Sequence, residues 1–374
     1  MKYLLIPISL FLFSSCKKED TIKTIVNNPE TGDIYLAPFS SSDNYGTIWH
    51  MDNNGNILQE IPTPGVAMNL EKWNINGTTR YTYLVEDNNG YHIPGYDKYV
   101  PGYQVIADEN MQEIKKVYLS SYGNIDAGTQ NLLDSHDFIL LSDDHYLTMA
   151  YYLKTVTNVP AALNPAATVN VIAPIIQEVE NNQVIWQWDG TDHPELYAES
   201  VEGNDFSNAT AKNDYLHINS MIIDPSDGNL ICSFRNANLI LKINRTNGDI
   251  IWKLGGHNSD FPMPEAEVFL RQHNATLIDN GATLMLFDNG EQTERPYSRV
   301  LEFGLDQSSK QITGFKSFNI PGAFVSAMGS VQKRDDTYFI CGGSSAYLME
   351  VNYLTGEKTF EMALPKPSYR AFKY

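Results

Sequence analysis

Three histidines occupy matching places in the sequence, each at the start of an apolar run that is typical of a strand. His136 begins HDFILL, His217 begins HINSMII and His273 begins HNATLI. A neutral imidazole can attack sulfur or phosphorus, and a second histidine can donate a proton to a leaving oxygen. Arg235 ends a strand in ICSFRNA, and a guanidinium can bind an oxyanion through paired N–H groups. These residue types suit the transfer of an anionic group.

Two other interpretations of the histidines are weaker. Three histidines could bind zinc, which takes nitrogen and sulfur ligands. However, no carboxylate accompanies them at the same position, and a metal dication would repel the nearby arginine. A single histidine is usually a hydrogen-bonded core residue, but three at matching positions weaken that interpretation. We therefore expect no metal ligand and no cofactor, and a metal-dependent hydrolase or lyase is the weaker alternative.

The strands that carry these residues belong to a repeated hairpin, in which an apolar strand, a polar turn and a second strand follow one another. The six copies are Gly46–Ile61, Tyr103–Leu119, Pro174–Gly190, Leu239–Gly256, Arg299–Phe318 and Tyr347–Leu364. A second hairpin precedes most copies, so each unit has the four strands of a propeller blade. The sequence therefore predicts an all-β fold, a six-bladed β-propeller over residues 30–374. A pair of β-sandwiches would not explain the recurrence.

The propeller prediction places the histidines together. The first strand of a blade lines the central axis, so His136, His217 and His273 should point toward one mouth of the channel, within reach of Arg235. Tyr96, Tyr99 and Tyr103 could line an aromatic acceptor site, although 22 tyrosines make such a grouping easy by chance. Three polar insertions should form loops on one face, where binding sites are common. They are Thr155–Thr168, Thr191–Asn213 and His257–Arg271.

The N-terminal segment is typical of a bacterial lipoprotein signal. An apolar run, Tyr3–Phe13, follows Lys2 and is too short to span a bilayer, and small residues then lead to Cys16. We expect a signal peptide at 1–15, lipid on Cys16 and a lipidated tether at 16–29. The charged run that begins at Lys17 resembles tags of surface lipoproteins in Bacteroidetes. The expected location is the outer membrane, facing the periplasm or the cell surface, and an ordinary secretory signal is the alternative.

The overall composition excludes several classes of protein. The 374 residues include 26 Lys+Arg and 45 Asp+Glu, a net charge of −19, which argues against binding to nucleic acid or to an anionic membrane surface. Contact with a membrane is expected only through the N-terminal lipid. A hydrophobic fraction of 42% argues against disorder. Cys232 and Cys341 lie in apolar strands and are expected to be buried thiols, with their pairing left open.

Four motifs together resemble one known family. DYLHINS, SFRNAN, QHNATL and LFDNG lie in order between Asp214 and Gly290. With the HDFILL motif they are similar to the bacterial aryl sulfate sulfotransferases over about residues 130–305. That family has a six-bladed propeller, and it moves a sulfuryl group from a phenolic sulfate ester to a phenolic acceptor without a nucleotide sulfate. The transfer follows a ping-pong route through a sulfohistidine.

The resemblance implies roles for the catalytic candidates. It makes His273 the nucleophile, His217 the general acid and base, and His136 a support for the donor or the leaving oxygen. Arg235 would bind the sulfuryl oxygens.

Three further residues are implied to bind substrate: Asn219 of the HxN motif, and Asp288 and Asn289, which would bind it or only shape the pocket. The better-known members of the family dimerise through an N-terminal β-sandwich, which we expect to be missing here. The oligomeric state therefore stays open, and a monomer is compatible with the sequence. A different class of function also remains, a non-catalytic surface lipoprotein that binds a glycan or a protein in the same pocket.

Overall fold

The computed structural model describes residues 24–40, 42–322 and 324–374. The predicted signal peptide and Cys16 lie outside the described residues, so those predictions remain predictions. Within the described ranges, the chain forms strands and short 3-10 helices. The strands of the first half are β1 (Thr24–Val26), β2 (Ile34–Pro38), β3 (Gly46–Met51), β4 (Ile57–Thr63), β5 (Ala67–Ile75), β6 (Thr78–Glu86), β7 (Pro101–Ala107), β8 (Glu113–Val117), β9 (Leu133–Asp134), β10 (Phe138–Ser142), β11 (His145–Val156), β12 (Val169–Glu180), β13 (Gln183–Asp189) and β14 (Lys212–Asn213).

The remaining strands belong to the second half of the chain. They are β15 (Ile218–Ile223), β16 (Leu230–Phe234), β17 (Leu239–Ile243), β18 (Ile250–Gly255), β19 (His273–Ile278), β20 (Thr283–Asp288), β21 (Arg299–Asp306), β22 (Gln311–Asn319), β23 (Ser330–Arg334), β24 (Thr337–Cys341), β25 (Tyr347–Asn352), β26 (Lys358–Ala363) and β27 (Ser368–Lys373). The 3-10 helices are Ala161–Leu163, Gly190–Asp192, Pro194–Glu199, Arg235–Ala237, Glu265–Glu267, Asp279–Gly281 and Gly343–Ser345.

These strands form the six sheets of a β-propeller, which confirms the predicted fold class. Blades two to six are β5–β8, β10–β13, β15–β18, β19–β22 and β23–β26, each numbered from the central axis outward. Blade one combines β2–β4 with β27, whose residues Ala371 and Lys373 pair with Leu36 and Ile34. The C-terminal strand is therefore the innermost strand of the first blade and closes the ring. The six predicted hairpins are the third and fourth strands of the six blades.

The blades pack through apolar side chains that cover both faces of the inner strands. Every residue of β16 and of β17, the two middle strands of blade four, is buried. Aromatic rings fill the space between blades: Trp188 of blade three lies 5.7 Å from Phe234 of blade four, centroid to centroid. Cys232 and Cys341 are buried, as predicted, and the structure shows both as free thiols. Among the described residues, no helix is both long and apolar enough to cross a membrane.

A set of hydrogen bonds joins neighbouring blades near the axis. In each, a side-chain oxygen at the start of one inner strand accepts a backbone N–H of the next inner strand. The pairs are Asp137 with Met221 at 2.9 Å, Ser220 with Ala275 at 3.0 Å, Asn274 with Val331 at 2.9 Å, and Ser330 with Ala371 at 3.2 Å. These bonds fix the inner strands of blades three to six and one relative to each other. The residues at the starts of those strands are thereby held in place.

Candidate active site

A cavity of about 560 Å³ opens at one end of the central axis and is lined by His136, His217, His273 and Arg235. This volume lies within the range of small-molecule pockets. The rings of His136 and His217 are 5.0 Å apart between centroids, with their planes nearly perpendicular. Tyr369 lies 5.2 Å from His136 and 6.5 Å from His273. The four residues that the sequence singled out are therefore brought to one place.

His273 is held by a neutral amide. Its Nδ1 lies 2.7 Å from Oδ1 of Asn289. The Asn289 amide nitrogen donates to the carbonyl oxygens of Val325 and Met328, both at 2.9 Å. Because both amide hydrogens are used, the oxygen faces the imidazole and accepts its Nδ1–H. The hydrogen bonds thus assign the tautomer in which Nε2 carries a free lone pair.

The surroundings keep the His273 imidazole neutral. Burial lowers the pKa of His273 well below its ordinary value, and the positive charge of Arg235 lowers it further. Near pH 7 the ring is therefore unprotonated, which is the state a nucleophile requires.

His217 is held by a carboxylate. Its Nδ1 lies 2.7 Å from Oδ2 of Asp214, and the same oxygen accepts the hydroxyl of Tyr96 at 2.8 Å. Burial raises the pKa of Asp214, but the imidazole charge and the hydrogen bonds from His217 and Tyr96 bring it below its ordinary value. Burial lowers the pKa of His217 despite Asp214. His217 also adopts a φ of 55°, a left-handed conformation that is uncommon outside glycine and often found at functional sites.

His136 has the same arrangement as His217. Oδ2 of Asp134 lies 2.6 Å from the His136 Nδ1 and also accepts the backbone N–H of His136 at 3.0 Å. A carboxylate on Nδ1 orients the ring and stabilises its protonated form. Two of the three histidines are thus oriented by a carboxylate on Nδ1, whereas His273 is oriented by an amide.

Arg235 follows directly after β16 and places its guanidinium at the cavity wall. Its Nη1 donates to Oε2 of Glu202 at 3.0 Å and to Oδ1 of Asn236 at 2.7 Å. Glu202 also accepts from Nζ of Lys98 at 2.7 Å. Burial raises the pKa of Glu202, but the Lys98 hydrogen bond and the charges of Arg235 and Lys98 lower it to about 2. The carboxylate is therefore ionised and lies beside the arginine.

The three predicted substrate-binding residues lie behind the cavity wall. The Asn219 amide donates to the backbone carbonyl of Gln272 at 2.7 Å, directly before His273. Asp288 binds Arg295 at 2.6 Å and Arg299 at 2.8 Å, and also accepts the N–H of Leu270 at 2.9 Å. Asn289 contacts His273 as described above. All three are fully buried and act on the site by holding its backbone or its nucleophile.

Some lining residues came from regions that the sequence did not single out. Tyr369 lies in the closing strand β27, and Glu202 lies in the predicted loop at 191–213 without having been singled out. The segment 87–100, between β6 and β7, contributes Tyr96 and Tyr99, as the tyrosine grouping suggested, together with His92 and Lys98, whereas Tyr103 lies in β7 away from the cavity.

An apolar part of the cavity lining comes from blades one, two and six. Its residues are Phe39, Val66, Met68, Ala327 and Met328. These apolar side chains can contact an aromatic ring, while the three histidines and Arg235 can act on an anionic group bound in the same cavity. Within the described ranges, no group of three or more His, Cys, Asp or Glu side chains is arranged to hold a metal ion.

Comparisons with known proteins bear on the family and on the fold. The sequence model of the family described as Arylsulfotransferase (ASST) matches residues 19–374. No curated protein matches the chain. Among solved structures, a protein of unknown function from Bacteroides caccae superposes with a TM-score of 0.50 at 11% identity, over 92% of this chain and 99% of that one. The periplasmic gluconolactonase PpgL of Pseudomonas aeruginosa has a TM-score of 0.49 at 11% identity, over 90% and 97% of the two chains. At 11% identity, the similarity to the Bacteroides caccae protein shows a shared fold and nothing more.

Proposed function

The chain belongs to the arylsulfotransferase family, and from this premise we propose that it works through a sulfohistidine formed at His273. The protein is a sulfotransferase enzyme of that family. The proposed cycle moves a sulfuryl group from a phenolic sulfate ester to a phenolic acceptor in two half-reactions, with no nucleotide sulfate donor. The observation that carries the proposal is the Nδ1–H bond from His273 to the Asn289 amide, which leaves Nε2 neutral and unprotonated.

In the first half-reaction, Nε2 of His273 attacks the sulfur of the donor ester. The N–S bond forms as the bond from sulfur to the phenolic oxygen breaks, and that oxygen leaves with the electron pair. Nη2 and Nε of Arg235 bind the sulfuryl oxygens, whose charge spreads in a loose transition state as in phosphoryl transfer. His217 gives a proton to the leaving phenolate, and His136 supports the same oxygen.

His217 must carry that proton when the donor is bound. Burial lowers its pKa in the empty cavity, but an anionic sulfate ester adds a negative charge close to the ring. A nearby negative charge favours the imidazolium, and Asp214 stabilises it from the Nδ1 side. Donor binding is therefore coupled to the uptake of one proton by His217.

The second half-reaction reverses these steps with a new phenol. The acceptor gives its hydroxyl proton to Nε2 of the now neutral His217, and its oxygen attacks the sulfur on His273. The N–S bond breaks, the nitrogen recovers its lone pair, and the sulfated acceptor leaves. The imidazolium of His217 is restored, so protons and charge balance over the cycle.

The experiment that tests this proposal is the capture of the intermediate. The protein is incubated with 4-nitrophenyl sulfate without acceptor and digested at alkaline pH. Mass spectrometry should then find a sulfuryl group on the peptide that contains Gln272 and His273. Release of 4-nitrophenol should accelerate when a second phenol is added, and His273→Ala should abolish both signals.

The matched control is His257→Ala, which removes an exposed histidine that does not line the cavity. It should retain both the modified peptide and the turnover. Undiminished turnover in His273→Ala would contradict the assignment of the nucleophile. No turnover in the wild-type protein with any phenyl sulfate would favour the binding propeller instead.

A further inference from the structure

We propose that Glu202 is a positioning residue for Arg235, which fixes the direction of the guanidinium and reduces its attraction for a bound sulfate. The inference rests on the proposed function, because it concerns the group that would bind the sulfuryl oxygens. Glu202 comes from the loop between β13 and β14, in another blade, and so it reaches Arg235 only through the tertiary fold.

The hydrogen atoms of Nη1 account for the direction of the guanidinium. Nη1 has two hydrogens, and it makes two bonds, to Glu202 at 3.0 Å and to Asn236 at 2.7 Å. Both bonds that Arg235 makes to other described side chains thus leave from this one nitrogen. Nε and Nη2 remain for a ligand, and they form the edge of the guanidinium that can bind two oxygens of a sulfuryl group.

The two partners of Nη1 differ in their rigidity. Asn236 lies in a buried 3-10 turn, and its amide nitrogen donates to the backbone carbonyl of Asp214 at 2.6 Å and to Oδ2 of Asp214 at 3.2 Å. This bond ties the arginine to the carboxylate that holds His217. Glu202 is about 29% exposed and supplies the second contact from a surface loop. Removal of Glu202 would leave Nη1 with one anchor.

The negative charge of Glu202 weakens the binding of an anionic ligand at Arg235. An ionised carboxylate beside Arg235 repels a sulfate that approaches the same guanidinium. Lys98 lies 2.7 Å from the other carboxylate oxygen, and Nη2 of Arg271 lies 3.6 Å from Oε2. These cations compensate part of the negative charge. The affinity of the site for sulfate is therefore set by the balance between the charge of Glu202 and the charges of Lys98 and Arg271.

The test measures turnover of 4-nitrophenyl sulfate and binding of inorganic sulfate at low ionic strength. Glu202→Gln keeps an oxygen for Nη1 but loses the charge, so sulfate should bind about fivefold more tightly while kcat stays within about twofold. Glu202→Ala also loses the anchor, so kcat should fall about tenfold although KM for the donor decreases. A variant that merely folded poorly would lower the active fraction and leave KM unchanged.

Two further variants sharpen the test. Lys98→Met should change the sulfate affinity in the opposite direction from Glu202→Gln. It should weaken sulfate binding about threefold, because Glu202 loses its compensating cation. Glu195→Gln removes the same charge from the same loop at a residue that does not line the cavity, and it should leave sulfate affinity and kcat unchanged.

The results also separate this inference from the proposed function. Calorimetric binding of sulfate needs no turnover, so tighter binding in Glu202→Gln supports the inference even if the wild-type protein proves inactive on aryl sulfates. An active wild-type enzyme whose sulfate affinity is unchanged or weaker in Glu202→Gln would overturn the inference and leave the sulfohistidine proposal intact.

Discussion

The inner strands of blades four and five present the same side chain to one cavity but hold it by different partners. His217 is bonded through Nδ1 to the carboxylate of Asp214, and His273 is bonded through Nδ1 to the amide of Asn289. A carboxylate favours an imidazolium, whereas an amide orients the ring without stabilising its charge. In the proposed cycle, the residue behind each histidine, rather than the histidine itself, separates the proton carrier from the nucleophile.

The largest expected effect comes from a change on the carboxylate side. Asp214→Asn should lower kcat about a thousandfold for phenyl sulfate, because an amide no longer stabilises the imidazolium that protonates the leaving oxygen. For 4-nitrophenyl sulfate the loss should be only about tenfold, because 4-nitrophenolate leaves without a proton. Steady-state kinetics with both donors checks this difference. An equal loss for the two donors would contradict the role given to His217 in the first half-reaction, since protonation of the leaving oxygen would then not depend on Asp214.

A smaller effect is expected on the amide side. Asn289→Ala removes the group that fixes the His273 tautomer, and formation of the sulfo-enzyme should slow about thirtyfold. The loss should be the same for both donors, because proton transfer to the leaving group is untouched. The variant also leaves the carbonyls of Val325 and Met328 without their donor, so thermal unfolding must be measured alongside. A loss that depends on the leaving group would contradict the distinction between the two histidines.

The smallest effect is expected from acidification of the wild-type protein. Burial lowers the pKa of His273 well below 6.5, so the neutral, reactive form should persist at a pH where an ordinary imidazole is half protonated. His217 becomes more protonated as the pH falls, which favours departure of the phenol. The first half-reaction, followed as the burst of phenol without acceptor, should therefore change less than about twofold between pH 7.5 and 6. A burst rate that halves near pH 6.5 would indicate a solvated nucleophile.

The repeat itself made much of the fold and the site predictable. Hairpins recur along the chain because every blade packs against its neighbours in the same way, and their alignment placed His136, His217 and His273 near the starts of three successive inner strands. Arg235 followed from the same alignment. The hydrogen-bond partners of these side chains were harder to predict from the sequence. Asp214 lies in the motif DYLHINS, but nothing local indicates that it binds His217, and the role of Asn289 was left open.

Two further contacts that the sequence did not reveal cross from one blade to another. Tyr96 reaches Asp214 across 118 positions of the chain. Tyr369 enters the cavity because β27 pairs with β2 and closes the ring. The sequence holds one signal for that closure. The final strand, SYRAFK, follows the last hairpin without a second strand to pair with, and the first unit has no strand before β2 that could be its innermost strand. Such contacts depend on the curvature of the whole ring, which no local pattern specifies.

The sequence by itself determined the repeated strands, their number per blade and the residues near the inner-strand starts of blades three to five, because alternation of apolar residues and turn-forming residues acts over a few positions. Only the tertiary structure decided which atoms meet. It set the tautomer of His273 through Asn289, and it placed Glu202 on one nitrogen of Arg235. Hydrogen bonds require partners within about 3 Å, and that proximity arises when the six sheets close around a common axis.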